Sequence, residues 1–322
     1  PQWRKSFRDF TNFSKEKKIE IIAGIAPGLD FDFNVLKNNP KSSKRSDISL
    51  LFNKAKQLLN DGASAIALLM DDIQDDFTKI YGKDVSEGSY HGGLANQLSK
   101  MLGQSIYFVP RIYADELIND SPKYLLDLSK TLNVDTKIFY CGKDVICKTI
   151  TNYSKIHKLF SNKIIYWDNF YANDYCPRRF FIGPYVGRVG INNLMINPTG
   201  LINTDLLIID IIANTKDLKN PNKVWLKILK KHGVPNYFKN LKKFFLSPSF
   251  GKNPTMPSYK ENKKYHIVLE LLLWSWKGQL SREWYPYLFG LKNDMEINQR
   301  KLMPERLIKT QTIPLAQHIN KI

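Results

Sequence analysis

The stretch Ser64-Ala-Ile-Ala-Leu-Leu-Met-Asp-Asp72 decides how this chain is read. The run from Ser64 to Met70 shows no polar alternation, and turn-forming Asp61-Gly62 stands just before it, so it reads as a strand buried on both faces. A carboxylate is rarely buried unpaired, and two in a row at the end of such a strand need a reason. In a parallel α/β fold that reason is often chemical, because active-site groups sit on loops beyond the carboxyl ends of the strands. The alternative is that Asp71 and Asp72 cap the helix that follows.

Outward from this strand the same grammar repeats. Residues 18–25 read as a strand ending in Ala26-Pro-Gly-Leu-Asp30. A helix should follow, with Ser46 or Asp47 as its cap and Leu50, Leu51, Ala55 and Leu58 on one face. Glycines and His91 precede a helix over 94–101, and 104–109 reads as a strand stopped by Pro110. Helices over 125–132 and 149–159 alternate with strands over 136–141, 163–167 and 190–196. Strands separated by single crossover helices indicate a parallel sheet, either doubly wound or most of a (β/α)8 barrel. No glycine-rich dinucleotide fingerprint or P-loop follows any strand. Polar or glycine-bearing text follows the strands instead, at Pro27-Gly28, Asp71-Asp72, Arg111 to Tyr113, Gly142, Asp168-Asn169 and Asn197-Pro198. A closed barrel gathers its strand ends into one site, and this distribution favours it.

From about residue 205 the alternation stops. Helical patterns cover 206–213 and 223–231, residues 246–259 read as an irregular connection, and 265–276 reads as a buried helix carrying Ile267, Leu269, Leu271, Leu272 and Leu273. Trp274, Trp276 and Trp284 are expected in packing, with a carbohydrate platform as the alternative. The expected division is therefore an α/β barrel domain over 1–205 and a mainly helical region over 206–322.

Composition excludes several classes. At 322 residues with 43% hydrophobic content the chain can fill a real core. Cys141, Cys147 and Cys176 make no disulfide framework, and their odd number favours a reducing compartment; a cytoplasmic location is the expectation, with an upstream export signal left open. No apolar run reaches the length of a membrane span. The net charge of +18 invites a nucleic-acid reading, but the excess is lysine dispersed along the chain, without zinc-finger spacing or a compact arginine cluster. The five histidines offer no ligand spacing, and no metal or cofactor is expected.

The second informative stretch is Tyr166-Trp-Asp-Asn-Phe-Tyr-Ala-Asn-Asp-Tyr175, which delivers aromatics, amides and acids directly after a strand. Tryptophan and tyrosine can wall a sugar, while Asn and Asp hold hydroxyls or an amide. Together with Asp71-Asp72-Ile73, Ala26-Pro-Gly-Leu-Asp30, Arg179-Phe-Phe-Ile-Gly-Pro-Tyr-Val-Gly-Arg188 and Asn197-Pro198, this text resembles glycoside hydrolase family 84, the O-GlcNAcase and bacterial N-acetyl-β-glucosaminidase family. The resemblance covers roughly residues 18–230.

The resemblance implies retaining, substrate-assisted hydrolysis of terminal β-linked N-acetylglucosamine on a glycan or glycoprotein, the sugar's own acetamide acting as nucleophile. It makes Asp71 the residue that polarises the acetamide N–H and Asp72 the general acid and then base. Tyr113 assists orientation of the acetamide, Asn169 binds its carbonyl, and Asp174 and Asn197 hold hydroxyls. Trp167 and Tyr175 wall the sugar, and Val145 lines the acetamide side. It also implies a TIM-type barrel whose first two strands, a glycine-rich one and one ending near a lysine, are unaccounted for here. A fragment of a longer gene product is the expectation. Two departures stand out: Arg111-Ile112 replaces a threonine and an acid, and Tyr140-Cys141 replaces a tryptophan-threonine pair. A glycan- or glycopeptide-binding relative without turnover is the alternative function, and a basic nucleic-acid-binding protein the lesser one.

Overall fold

The computed structural model describes residues 2–28, 31–36, 47–71, 73, 77–82, 84–120, 123–151, 156–247 and 257–298. Strands and helices alternate as α1 (Gln2–Glu16), β1 (Ile22–Ile25), α2 (Asp47–Asn60), β2 (Ala65–Leu69), α3 (Phe77–Tyr81), α4 (Glu87–Leu102) and β3 (Tyr107–Val109). They continue as α5 (Tyr124–Thr131), β4 (Lys137–Tyr140), α6 (Ile156–Leu159), β5 (Ile164–Asp168) and β6 (Leu194–Ile196). Helices then take over as α7 (Ile202–Thr215), α8 (Asn222–Lys231), α9 (Tyr259–Glu270) and α10 (Gln279–Asn298). Contacts divide the chain into two compact units. The first is Pro1–Val145 with Thr151–Trp167 and Asn193–Met195; the second is Ile146–Ile150 with Asp168–Asn192 and Ile196–Ile322. The division expected between 205 and 206 falls inside the second.

The strands form a six-stranded sheet in the order β1-β2-β3-β4-β5-β6, each beside its neighbour in sequence. The register is parallel, with Gly24 opposite Ala67, Leu69 opposite Val109, Phe108 opposite Ile138 and Tyr140 opposite Tyr166. A doubly wound sheet reverses its order at a switch point, and this one does not. The fold is an incomplete (β/α)8 barrel with a largely helical C-terminal region.

Side chains along each strand alternate between two faces. Ile66, Leu68, Phe108 and Ile138 join the main core with Leu51 and Ala55 of α2, Leu94 and Leu98 of α4, and Leu128 of α5. The intervening residues Ala67, Val109 and Phe139 are buried in a smaller cluster with Leu69, Tyr107, Tyr113, Ile165, Trp167 and Met195. Ile66, Ala67 and Leu68 are thus buried on both faces of β2, Ala65 and Leu69 are half-buried at its ends, and Ser64 just before it is exposed.

Several elements differ from the sequence expectation. Leu50 is 60% exposed, because the buried stripe of α2 runs through Ile48, Leu51, Ala55 and Leu58 and leaves Leu50 off it. The helix expected from residue 94 starts at Glu87, capped by the Ser86 hydroxyl accepting from the Ser89 N–H, so Gly88, His91 and Gly92 lie within it. Glycines weaken a helical pattern, but here α4 and α5 approach too closely for side chains. A Cβ at Gly88 would stand 2.2 Å from the Tyr124 carbonyl oxygen and 2.8 Å from the Leu128 nitrogen. The helix expected over 149–159 is helical only at Ile156–Leu159 among the described residues, and 152–155 lie outside them.

In the second unit α9 passes into a π turn at Leu271–Ser275. Leu269, Leu272 and Leu273 are buried while Ile267 and Leu271 are exposed, since one helix face cannot hold all five residues. Trp276 and Trp284 are buried, donating to the Gly233 carbonyl at 2.9 Å and the Thr204 hydroxyl at 2.9 Å, so both serve packing. Trp274 is 52% exposed and meets Tyr285 edge-on. Residues 248–256 of the expected irregular connection lie outside the described residues.

In the first unit α1 is docked by charge. Arg4 donates to the Asp61 carboxylate at 2.7 and 2.9 Å and Arg8 at 3.0 Å, while the Thr11 hydroxyl donates to the Asp61 carbonyl at 2.9 Å. The Arg4 hydrogen bonds, helped by Arg8 against the opposing effect of burial, hold the Asp61 carboxyl at about 2 instead of 3.8. A depressed carboxylate stabilises the fold above its unfolded value and loses that contribution as pH falls through the folded one. The stability gap between wild type and Asp61→Asn, followed by urea unfolding, should therefore be constant above about pH 5 and close as pH falls toward 2. A gap independent of pH would remove the ion-pair account of the docking.

Candidate active site

In the first unit the candidate residues lie past the carboxyl ends of β2, β3, β4 and along β5. The Met70 N–H donates to the Val109 carbonyl at 2.9 Å, extending the β2–β3 ladder by one residue. Asp71 stands in the turn directly after β2, two residues past Leu69, and is half-buried. Asp72 lies outside the described residues. Beyond β3 the chain keeps running beside β4: the Cys141 N–H donates to the Tyr113 carbonyl at 2.7 Å and the Asp115 N–H to the Gly142 carbonyl at 2.8 Å. Tyr113 is held there with its ring tilted against Trp167, centroids 5.4 Å apart. The Val145 N–H donates to the Glu116 carboxylate, and Cys141 is a small buried residue at the strand end.

The altered text at Arg111 has a partner. Its guanidinium donates twice to the Glu87 carboxylate, at 2.6 and 2.7 Å, and both residues are buried. The Arg111 N–H donates to the Tyr124 hydroxyl at 3.0 Å, and that hydroxyl is hydrogen-bonded to His91 Nδ1 at 2.9 Å. Burial, aided by the Arg111 charge, holds the His91 pKa down at about 3, so the ring is neutral. This network anchors the strand end that leads into Tyr113.

The second unit centres on Asp168, 1% exposed. Arg188 donates to it through Nε and Nη2, both at 2.7 Å, and the Tyr185 hydroxyl donates to Oδ2. The rest of the Arg188 fork is also used, donating to the Cys147 carbonyl at 2.7 Å, Lys148 at 2.8 Å and Val186 at 2.9 Å. Burial pulls the Arg188 pKa down, but the hydrogen bonds and charge of Asp168 outweigh it and raise the value above normal. Burial, reinforced by the Asp168 charge, pushes the Tyr185 hydroxyl well up, so it remains a donor. Asp168 Oδ1 also accepts the Phe170 N–H at 3.1 Å, closing a turn around Asn169.

Asn169 and Asn197 are brought together, Asn197 Nδ2 donating to Asn169 Oδ1 at 3.1 Å while the Asn197 N–H donates to the Asp168 carbonyl at 3.1 Å. Asp205 fastens the turn after Asn197 by accepting from the Thr199 N–H at 2.9 Å, its hydroxyl at 2.7 Å and the Gly200 N–H at 3.1 Å. Asp174 is exposed and accepts the Tyr175 N–H, and Tyr175 is half-exposed over Phe181. Among the described residues no group of three or more His, Cys, Asp or Glu side chains is placed to hold a metal, and no helix is long and apolar enough to cross a membrane. Sequence reading missed Arg188, Tyr185 and the Glu87–Arg111 pair as supports, because each acts across 17 to 24 residues with no local spacing to betray it.

A family model described as β-N-acetylglucosaminidase matches residues 2–204. The chain belongs to that family. The protein O-GlcNAcase of Rattus norvegicus is 31% identical over 185 residues, 54% of this chain and 19% of that protein, and the Mus musculus protein matches equally. The chain thus spans about a fifth of the length of these curated relatives. A solved mutant O-GlcNAc hydrolase of Thermobaculum terrenum shares the fold, with a TM-score of 0.69 at 16% identity over 99% of this chain and 78% of that one.

Removing Arg188 from this β-N-acetylglucosaminidase-family chain leaves a buried carboxylate without its cation. Arg188→Met should cost about 3–5 kcal/mol in urea unfolding, and adding Asp168→Asn should restore part of the loss. Additive losses in the double variant would contradict the pairing.

Proposed function

We propose that this chain carries the catalytic site of a retaining β-N-acetylglucosaminidase that removes terminal N-acetylglucosamine from a glycan or glycoprotein. The observation that carries the reading is the place of the acid pair: Asp71-Asp72 directly follows a strand whose centre is buried on both faces, within the family match, with Asp71 half-buried two residues past Leu69 of the cluster that holds Tyr113 and Trp167. The relatives, an O-GlcNAcase and an O-GlcNAc hydrolase by name, agree with this substrate class.

In the first step the acetamide carbonyl oxygen attacks the anomeric carbon as the bond to the aglycone oxygen breaks. Asp72 gives its proton to that leaving oxygen, and Asp71, ionised, accepts the acetamide N–H and stabilises the positive character of the oxazoline-like ring. Water then attacks the anomeric carbon, Asp72 takes its proton, and the ring opens to release the sugar with retained configuration. Asn169 donates to the acetamide carbonyl and Tyr113 orients the group. Asp174 and Asn197 hold hydroxyls, Trp167 and Tyr175 wall the sugar, and Val145 lines the acetamide side. Neighbouring carboxylates titrate as a coupled pair, which lets one stay charged while the other keeps a proton.

The test is hydrolysis of 4-nitrophenyl N-acetyl-β-glucosaminide across pH. Wild type should show a bell: activity falls on the acid side as Asp71 gains a proton and on the basic side as Asp72 loses one. Asp71→Asn should lose roughly 10²–10⁴-fold in turnover. Asp72→Asn should keep part of the departure step with this activated leaving group and lose the basic limb. A folded wild-type chain that binds N-acetylglucosamine without any hydrolysis would sink the enzyme reading and favour the binding relative.

A further inference from the structure

We infer that Tyr185 and Arg188 are positioning residues that act through Asp168 to aim the Asn169 side chain, an inference that rests on the proposed role of Asn169 at the acetamide. The geometry is a relay of fixed contacts within the second unit. Asp168 Oδ1 accepts the Phe170 N–H at 3.1 Å, so the carboxylate closes a turn whose central residue is Asn169. That carboxylate cannot rotate away, because Arg188 grips both its oxygens at 2.7 Å and the Tyr185 hydroxyl adds a third donor.

The far side of the turn is held as well. The Ala172 N–H donates to the Asn169 carbonyl at 3.2 Å, and Tyr171 donates its hydroxyl to the Gly183 carbonyl at 2.7 Å. The Asn197 amide donates to Asn169 Oδ1 at 3.1 Å, so a neighbouring side chain fixes the direction of the Asn169 amide as well. Arg188 holds Asp168 and three backbone carbonyls and stands over the Phe170 and Tyr185 rings while 0% exposed, a large desolvation cost for a charged group. Holding a catalytic amide within a fraction of an ångström accounts for that expenditure.

Arg188 variants are poor probes because they leave a buried charge. Tyr185→Phe is the better one: it deletes a single donor to Asp168 and keeps the ring against Phe170 at 5.2 Å and Tyr171 at 5.9 Å. On 4-nitrophenyl N-acetyl-β-glucosaminide, Tyr185→Phe should lower kcat by about tenfold with a small change in KM, a misplacement effect. In an Asn169→Ala background the same change should cost less than about twofold, because its target is gone. Equal losses in both backgrounds would mean that Tyr185 only stabilises the fold, and would overturn the inference.

A second measurement does not depend on turnover. With selective ¹⁵N-asparagine labelling, the Asn169 side-chain amide is identified by its loss in Asn169→Ala. Its resonances should shift or broaden in Tyr185→Phe while those of Asn96 and Asn262 stay in place. An unmoved Asn169 amide would overturn the inference whether or not the chain hydrolyses sugar. A moved amide in a chain without hydrolysis would leave the positioning intact and count against the function proposed for the site.

Discussion

A carboxylate buried at the end of a strand must be compensated where it stands, and the arrangement of the second unit follows from how Asp168 is compensated. Arg188 supplies the charge, Tyr185 a further donor, and the Phe170 N–H the last, so the polypeptide from 183 to 188 is tied to the start of the 169–175 loop. The guanidinium's remaining hydrogens then fasten the segment at 147–148. Coulomb attraction in a dry interior is strong only when geometry is good, and the bidentate fork provides it. Phe170 and Tyr185 lie under the guanidinium, 4.7 and 5.4 Å from it, and add packing to the charge contact.

The first unit uses the same device at the end of β3. Arg111 is buried, and Glu87 from the first turn of α4 neutralises it. Tyr124 and His91 extend the network inward, and burial keeps the imidazole neutral beside the Arg111 cation. The charge of Arg111 is therefore compensated where it stands, at the strand end that leads into Tyr113. At the end of β4, Tyr140 turns its hydroxyl to Asp115 at 2.8 Å, and Cys141 contributes a backbone N–H to the Tyr113 carbonyl.

Local reading recovered much of the fold because hydrophobic period and turn chemistry are short-range. The β2 run had no polar residue to place outward, so it had to be buried on both faces, and the structure buries it. Reading failed where a distant surface overrode the local pattern. Gly88 and Gly92 looked like a break before a helix, yet they lie inside α4 because α5 comes too close for a Cβ. Leu50, Ile267 and Leu271 are apolar but exposed, since which side of a helix meets a neighbour is set by that neighbour.

What the sequence determined by itself was the alternation of strands and helices, the burial of the strand before Asp71-Asp72, and the polar-aromatic loop at 166–175. Those features are written in adjacent residues, within reach of one turn or one strand. Tertiary structure alone decided the unbroken strand order that makes a barrel winding, the pairing of Tyr113 with Trp167 and of Asn169 with Asn197, and the clamp of Arg188 and Tyr185 on Asp168. Each joins residues separated by many positions, and such contacts form only when the chain has paid the entropy of closing the loop between them. A one-dimensional pattern holds no record of that closure.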